Sequence, residues 1–241
     1  MIPKIIHYIW LGNNPIPPQI KKCINSWSKV CPDYEIKFWN EENLDLEKYQ
    51  YVKDALEAKK YAFASDVLRF EILKKYGGIY LDVDVKLLKK LDQFLEYDFF
   101  TGFENKEALN PGLICGCVKD SELANKMVEY YSKADFNTDM SNNQTVCTII
   151  TNILQNKYNF EINNTTQINN NIAIFSSDYF CPKDMSTRLV TKTRNTVSIH
   201  LYFASWMTKK YKFKQKIKEI LNILSFGLFG KFLRRRKNAR N

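Results

Sequence analysis

Asp82-Val83-Asp84 sets two carboxylates two positions apart, directly after the apolar run Ile79-Tyr80-Leu81. On a regular strand such residues point the same way, and where the strand opens into a loop both can close on one hard cation. Carboxylate oxygens suit Mg²⁺ or Mn²⁺, ions that also bridge diphosphates. The triplet alone decides little, because solvated strand ends often carry such pairs. Its surroundings add weight. Upstream, Asp66 and Arg69 stand three apart in a helical pattern and share a face, which sets an ion pair or a polar site beside the strand.

The stretch from Ala64-Ser65-Asp66-Val67-Leu68-Arg69 through Gly77-Gly78-Ile79-Tyr80-Leu81 to Asp82-Val83-Asp84 resembles glycosyltransferase family 32, the DXD-containing sugar transferases. Its relatives include fungal initiating mannosyltransferases, bacterial capsule transferases and, more distantly, the clostridial glucosylating toxins. The opening Ile2-Pro3-Lys4-Ile5-Ile6-His7-Tyr8-Ile9-Trp10-Leu11-Gly12 looks like the family's first nucleotide-binding strand, and His200 with Ser205-Trp206 is a third matching piece. Together they bracket residues 1–206, with the middle poorly matched. The resemblance implies an α/β GT-A architecture: a Rossmann-like nucleotide-sugar domain with a mixed sheet flanked by helices, acting with retention of anomeric configuration.

Carried over position by position, the resemblance makes Asp84 the direct metal ligand. Asp82 contacts the ribose or sugar and reaches the metal through water. Asp66 and Arg69 hold sugar hydroxyls and the donor's charge. Ile9, Trp10, Ser65, Tyr80 and Ser205 line the donor pocket, with Trp10 stacked on the base; for Tyr80, plain core packing is an equal alternative. His200 or Ser205 completes the metal shell, and the Trp206 indole N–H donates to the departing diphosphate. Asn110-Pro111-Gly112 and Asn142-Asn143-Gln144 stand where relatives carry acceptor and reaction-centre groups. The implied cofactor is Mn²⁺ or Mg²⁺, the donor a UDP-hexose before GDP-mannose, and the acceptor a glycan or a lipid-linked sugar of a surface polysaccharide such as capsule or lipopolysaccharide.

A diphosphate leaves readily only when its developing charge is neutralised, which a divalent cation and fixed donors do. No carboxylate stands out as a nucleophile, so front-face attack is the expected route to retention. Removing Asp84 is expected to abolish transfer and spare the fold, since it relieves repulsion within the cluster. Two other classes compete: a noncatalytic nucleotide-sugar-binding module of the same fold, and a phosphoryl-transfer or metal hydrolase using the acidic pair. The second lacks both a Gly-rich phosphate loop and a His-rich two-metal set.

The elements that must position these residues follow from periodicity. Residues 4–10 read as a buried strand emptying into a Gly-Asn-Asn-Pro loop, 19–28 as a helix and 34–39 as a second strand. Asn40-Glu41-Glu42-Asn43 reads as a helix-capping turn. Residues 53–76 predict one long helix with Tyr61, Ala64, Leu68 and Ile72 on a stripe and Gly77-Gly78 at its stop. Further strands are expected over 79–81, 99–103, 113–118, 172–175 and 196–199, helices over 121–132 and 143–155, and a loop over the Asn-rich 163–171.

The chain has 241 residues, 45% of them hydrophobic and 14% aromatic, which is enough for one packed α/β core. From Lys209 onward twelve Lys and Arg face one acid, Glu219, a surplus of +11 that exceeds the whole chain's +10. Residues 1–208 are therefore one charge negative, and nothing in that body calls for a nucleic-acid partner. Residues 1–208 form the expected transferase domain. Residues 209–241 form a basic tail whose Phe213, Ile217, Ile220, Leu221, Leu224 and Leu228 fall on a helical stripe, followed by Phe226-Gly-Leu-Phe-Gly-Lys-Phe-Leu233 and Arg234-Arg235-Arg236-Lys237. Such a helix suits an anionic membrane surface. The expectation is peripheral attachment to the inner face of the cell membrane, from the cytoplasm. The six cysteines lack metal-binding spacing and read as reduced thiols.

Overall fold

The computed structural model describes residues 1–139, 144–185, 187–203 and Ile217. Seven strands among them form a mixed sheet in the order β2-β1-β3-β6-β5-β8-β7. β1 (Ile5–Ile9) pairs in parallel with both β2 (Glu35–Trp39) and β3 (Gly78–Tyr80). β6 (Cys115–Cys117) runs antiparallel between β3 and β5 (Phe99–Gly102). β8 (Ile172–Phe175) lies parallel to β5, and β7 (Gln167–Asn169) closes the edge antiparallel to β8. A separate two-stranded ribbon joins β4 (Val85–Leu87) to β9 (Ser198–His200).

Because strand side chains alternate, neighbouring residues feed opposite layers. Tyr80, Phe99 and Ile174 enter one core with Leu68, Phe70, Met127 and Ile150, which come from α3 (Tyr61–Tyr76), α4 (Glu122–Lys133) and α5 (Val146–Tyr158). Ile79, Phe100 and Ala173 enter the other, packed on Trp27 of α1 (Pro18–Val30) and on Phe94 and Phe180. α1 also pins the ribbon, since the Trp27 indole donates to the Val85 carbonyl at 2.7 Å and the Leu87 N–H donates to Ser26 Oγ at 3.0 Å. Phe180 comes from α6 (Ser177–Phe180), a single turn.

Several expected boundaries move. The long helix over 53–76 is two helices, α2 (Gln50–Glu57) and α3. Lys59 takes a left-handed φ of 56°, its N–H donates to Leu56 O, and the Lys60 N–H reaches Ala55 O at 2.7 Å. That is a Schellman stop, built without the usual glycine. Asn40–Asn43 does form a side-chain-bonded turn, Glu42 N–H donating to Asn40 Oδ1, but no helix begins until Gln50. α5 starts later than expected because Thr145 caps it, accepting from the Thr148 N–H at 3.2 Å. The Asn-rich loop contains β7, a polar edge strand, and β4 was not foreseen. All six cysteines are free thiols. Ser205, Trp206, Asn142, Asn143 and the tail from 209, Ile217 excepted, lie outside the described residues.

Candidate active site

β3 ends at Tyr80, and the chain turns immediately: the Val85 N–H donates to the Asp82 carbonyl at 3.0 Å, so Asp82 and Asp84 sit in a tight turn between β3 and β4. This differs from two carboxylates on a regular strand, yet the result is the same convergence. One ligand atom each from Asp82, Asp84 and His200 lies within 4.8 Å of the other two. His200 ends β9, which pairs Val85 with His200 and so delivers the imidazole across 116 positions of sequence. Its Nε2 bonds Asp84 Oδ1 at 3.0 Å, and the Phe203 N–H donates to Asp84 Oδ2 at 2.8 Å.

Two carboxylates and an imidazole are a donor set suited to Mg²⁺ or Mn²⁺, and the surroundings fit that use. His200 Nδ1 is buried with no hydrogen-bond partner while Nε2 meets Asp84, and a buried ring nitrogen left unpaired is a donor atom open to a cation. Burial pushes the Asp82 carboxyl up, against the pull of Arg69. Burial also acts to raise Asp84, but the His200 charge, its hydrogen bond and the Phe203 N–H together hold Asp84 below its ordinary value. His200 is raised in turn by Asp84, which outweighs its own desolvation.

Beside this cluster, Arg69 is buried and clamps both acids that flank it. Its Nη2 lies 2.7 Å from Asp66 Oδ1 and 3.5 Å from Asp82 Oδ1. Its guanidinium carbon stands 4.6 Å from the centre of the Tyr80 ring, and its Nε donates to the Ser65 carbonyl at 3.2 Å. Burial raises the Asp66 carboxyl to about 7 despite Arg69. Gly112 closes over the group. A Cβ there would meet Asp82 Oδ2 at 2.3 Å and Arg69 Nη1 at 2.9 Å, and its carbonyl accepts from the Asp82 N–H at 2.9 Å.

These residues open on a cavity of about 700 Å³. Ile9, Trp10, Ser65, Asp66, Arg69, Tyr80, Asp82, Asp84 and His200, all singled out in the sequence, line it, as does Asn110. The Trp10 indole donates to Asn14 O at 2.6 Å, which holds the ring at the first strand's exit. Gln144 does not line the cavity; Thr145, Val146 and Cys147 do.

Sequence reasoning missed Glu104, Arg188 and Tyr202. The Tyr202 hydroxyl donates to Glu104 Oε1 at 3.0 Å, and Asn110 Nδ2 donates to the same oxygen at 3.3 Å. Arg188 Nη2 donates to the Leu201 and Tyr202 carbonyls at 3.3 and 3.4 Å. No local pattern marks these residues; only the pairing of β4 with β9 brings the segment after His200 to the cavity.

Comparison with known proteins bears on the segment that carries Asp66, Arg69, Asp82 and Asp84. Residues 17–100 match the family model described as "Glycosyltransferase sugar-binding region containing DXD motif". The chain is 36% identical over 106 residues to the uncharacterized glycosyltransferase L373 of Acanthamoeba polyphaga mimivirus, covering 42% of each chain. It is 38% identical over 106 residues to inositol phosphoceramide mannosyltransferase 3 of Schizosaccharomyces pombe, covering 40% of this chain and 28% of that one. The chain thus spans less than half the length of these curated relatives. Its fold is that of the GT-A glycosyltransferases. The solved PaToxG Glycosyltransferase superposes with a TM-score of 0.51 at 22% identity, over 65% of this chain and 70% of that one. Asp82 and Asp84 lie within the matched residues 17–100; His200, Glu104 and Arg188 come from outside them.

Proposed function

We propose that this chain is a metal-dependent glycosyltransferase that moves a hexose from a nucleotide-diphospho-sugar to an acceptor hydroxyl, with retention. The observation that carries this reading is the convergence of Asp82, Asp84 and His200 on one cavity of a GT-A fold. When bound there, a divalent cation would neutralise the charge that develops on the departing diphosphate. Asp82, Asp84 and His200 would hold it, with Ser205 as a further candidate ligand.

Arg69 fixes Asp66 and Asp82 by its two close contacts, so that their carboxylates face the donor in one orientation. Trp10 and Ile9 receive the base, and Ser65, Tyr80 and Asp66 bound the sugar side; Trp206 is proposed to donate to the leaving group. The acceptor oxygen bonds to the anomeric carbon as the bond from that carbon to the diphosphate oxygen breaks. The hydroxyl proton passes to the diphosphate on the same face. Glu104, hydrogen-bonded at one oxygen by Tyr202 and Asn110, is positioned as an acceptor-side carboxylate.

The sequence resemblance puts a UDP-hexose first among donors, and the names of the fungal relatives set GDP-mannose beside it. Those names, inositol phosphoceramide mannosyltransferase and mannosyl phosphorylinositol ceramide synthase, favour a lipid-borne acceptor. Surface-polysaccharide assembly is the reading that the bacterial branch of the resemblance supports, and the basic amphipathic sequence of 209–241 supports a peripheral contact at the inner face of the membrane.

The test is a donor screen with Mn²⁺. One of UDP-glucose, UDP-galactose, a UDP-N-acetylhexosamine or GDP-mannose should release nucleoside diphosphate, and chelation or Asp84→Asn should stop it. Binding of a nucleotide sugar without turnover of any of them, with or without acceptor, would instead favour a noncatalytic module.

A further inference from the structure

His200 ends β9, and of the residues 200–203 three bond Asp84. His200 Nε2 meets Asp84 Oδ1 at 3.0 Å, the Leu201 N–H donates to the Asp84 carbonyl at 3.0 Å, and the Phe203 N–H donates to Asp84 Oδ2 at 2.8 Å. Tyr202 is the exception. Its φ is 54°, in the left-handed region that a bulky residue rarely enters. The reversal there folds the chain back, so that the Phe203 amide reaches the carboxylate that His200 already holds. An extended residue at 202 would carry the next amide away from Asp84.

Gly or Asn would take that conformation at less cost, so the reason for a tyrosine lies in its side chain. The ring packs against the His200 imidazole, with centroids 4.1 Å apart. The hydroxyl stands between Cys181 Sγ at 2.9 Å and Glu104 Oε1 at 3.0 Å, and the Tyr202 carbonyl accepts from Arg188 Nη2 at 3.4 Å. A strained residue persists where its surroundings over-determine it, and such residues collect at functional sites. Tyr202 is held at ring, hydroxyl and carbonyl, and it lines the cavity.

The consequence falls on the two residues that Tyr202 adjoins. A ring packed on the imidazole restricts its rotation, and so fixes Nε2 toward Asp84 and leaves Nδ1 buried and unpartnered. Asp84, with one protein partner on each oxygen, has its carboxylate plane set, and each oxygen keeps lone-pair capacity for a cation. We infer that Tyr202 is a positioning residue for the divalent cation: its left-handed turn and its ring hold Asp84 and His200 in the arrangement that binds the ion, without ligating it. This role rests on the proposed use of Asp82, Asp84 and His200 as a cation site. It ties the geometry of that site to the acceptor side, because the Tyr202 hydroxyl donates to Glu104.

The full-length chain is titrated with Mn²⁺ and the free ion is counted by electron paramagnetic resonance, with Asp84→Asn marking the binding that belongs to the cluster. Tyr202→Asn and Tyr202→Gly accept the left-handed turn but lose the ring, and each should bind Mn²⁺ about tenfold more weakly. Tyr202→Phe keeps the ring and should recover most of that affinity. A merely structural role would lower melting temperatures without separating Tyr202→Phe from the other two in Mn²⁺ affinity. Wild-type affinity in Tyr202→Asn and Tyr202→Gly would overturn the role. So would equal losses in all three variants, or failure of both ring-less variants to fold while Tyr202→Phe folds. If the wild type binds no Mn²⁺ that Asp84→Asn removes, the role falls, although turnover of a nucleotide sugar without added metal would still show a transferase. If it binds Mn²⁺ but turns over no donor, the transferase reading falls and the affinities of the variants alone decide the role.

Discussion

The cavity has two walls of different origin. One comes from residues 9–84: Trp10 at the exit of β1, Asp66 and Arg69 on α3, and the Asp82–Asp84 turn, all within or next to the segment that matches the sugar-binding region. The other comes from residues 104–202: Glu104, Asn110, Cys147, Arg188, His200 and Tyr202, drawn from loops, the start of α5 and the end of β9. The first wall is held by contacts local in sequence, such as the Arg69–Asp66 pair three positions apart. The second depends on contacts 98 and 116 positions long, Tyr202 to Glu104 and His200 to Asp84. The wall that carries the Asp82–Asp84 pair is thus encoded compactly, and the facing wall is assembled from segments far apart in sequence.

The sharpest way to break this division is at Asp84, where the walls meet. Asp84→Asn should lower metal-dependent turnover by about a thousandfold or more, since it removes a charged ligand while keeping an acceptor for the Phe203 N–H. Asp84→Ala is the less clean variant. Relief of repulsion with Asp82 is set against loss of the partners that His200 and the Phe203 amide now have, at about 1–3 kcal/mol, so its melting temperature should fall. Turnover of Asp84→Asn with Mn²⁺ at the wild-type rate would mean that the two walls do not meet at a metal.

The first wall also rests on a residue that the motif does not mention. His7 in β1 is fully buried, accepts the Trp39 indole N–H at Nδ1 at 3.1 Å and meets Gly77 O through Nε2 at 2.9 Å. Burial, helped by the Lys37 charge, brings the imidazole down to about 4 against the pull of the Gly77 carbonyl, and protonating Nδ1 would also set two N–H groups against each other. The unfolded chain takes up its proton near 6.5, the folded chain only near 4. The contribution of neutral His7 is therefore complete above about pH 6.5 and is lost as pH falls toward 4, by roughly 3 kcal/mol. Denaturant unfolding across that range should show a steeper loss for the wild type than for His7→Gln. Parallel pH slopes would mean that the imidazole is not held neutral.

How much was legible follows the same line. Asp82, Asp84, Asp66 and Arg69 announced themselves by spacing, and Ile9, Trp10, Ser65, Tyr80 and His200 by the family resemblance; each lines the cavity. Both strands and helices with strong apolar patterns were found, including α1, β5 and α4. The break between α2 and α3 was hidden because its left-handed residue is Lys59 rather than a glycine. β7 was hidden because Gln167-Ile168-Asn169 is a polar edge strand with no buried face. Glu104 carries no signal in one dimension, since Tyr202, 98 positions away, becomes its neighbour only through the ribbon, and Asn110 only through the local turn bridged by Phe103 and Leu109.

Gly112 joins the walls, and its substitution sharpens how tightly. In Gly112→Ala the new methyl would stand 2.3 Å from Asp82 Oδ2 and 2.9 Å from Arg69 Nη1, so the two side-chain ends must move. They are flexible enough for the fold to survive, but a displacement of the motif carboxylate by about 1 Å should cost about a hundredfold in kcat/KM. A variant with full activity and an unchanged melting temperature would show that Asp82 tolerates the shift.

The smallest expected effect tests the second wall on its own terms. If Glu104 orients the acceptor hydroxyl while the diphosphate takes the proton, Glu104→Gln keeps an acceptor oxygen for Tyr202 and should cost only about tenfold in kcat, with donor affinity unchanged. Donor hydrolysis by the variant should stay nearer to the wild type than transfer does, because only transfer uses the acceptor. If Glu104 is instead a nucleophile, the same substitution should abolish both reactions, and a glycosylated peptide containing Glu104 should be recoverable from the wild type under slow turnover. That outcome would replace front-face attack with double displacement and give the two walls one catalytic carboxylate system rather than two separate tasks.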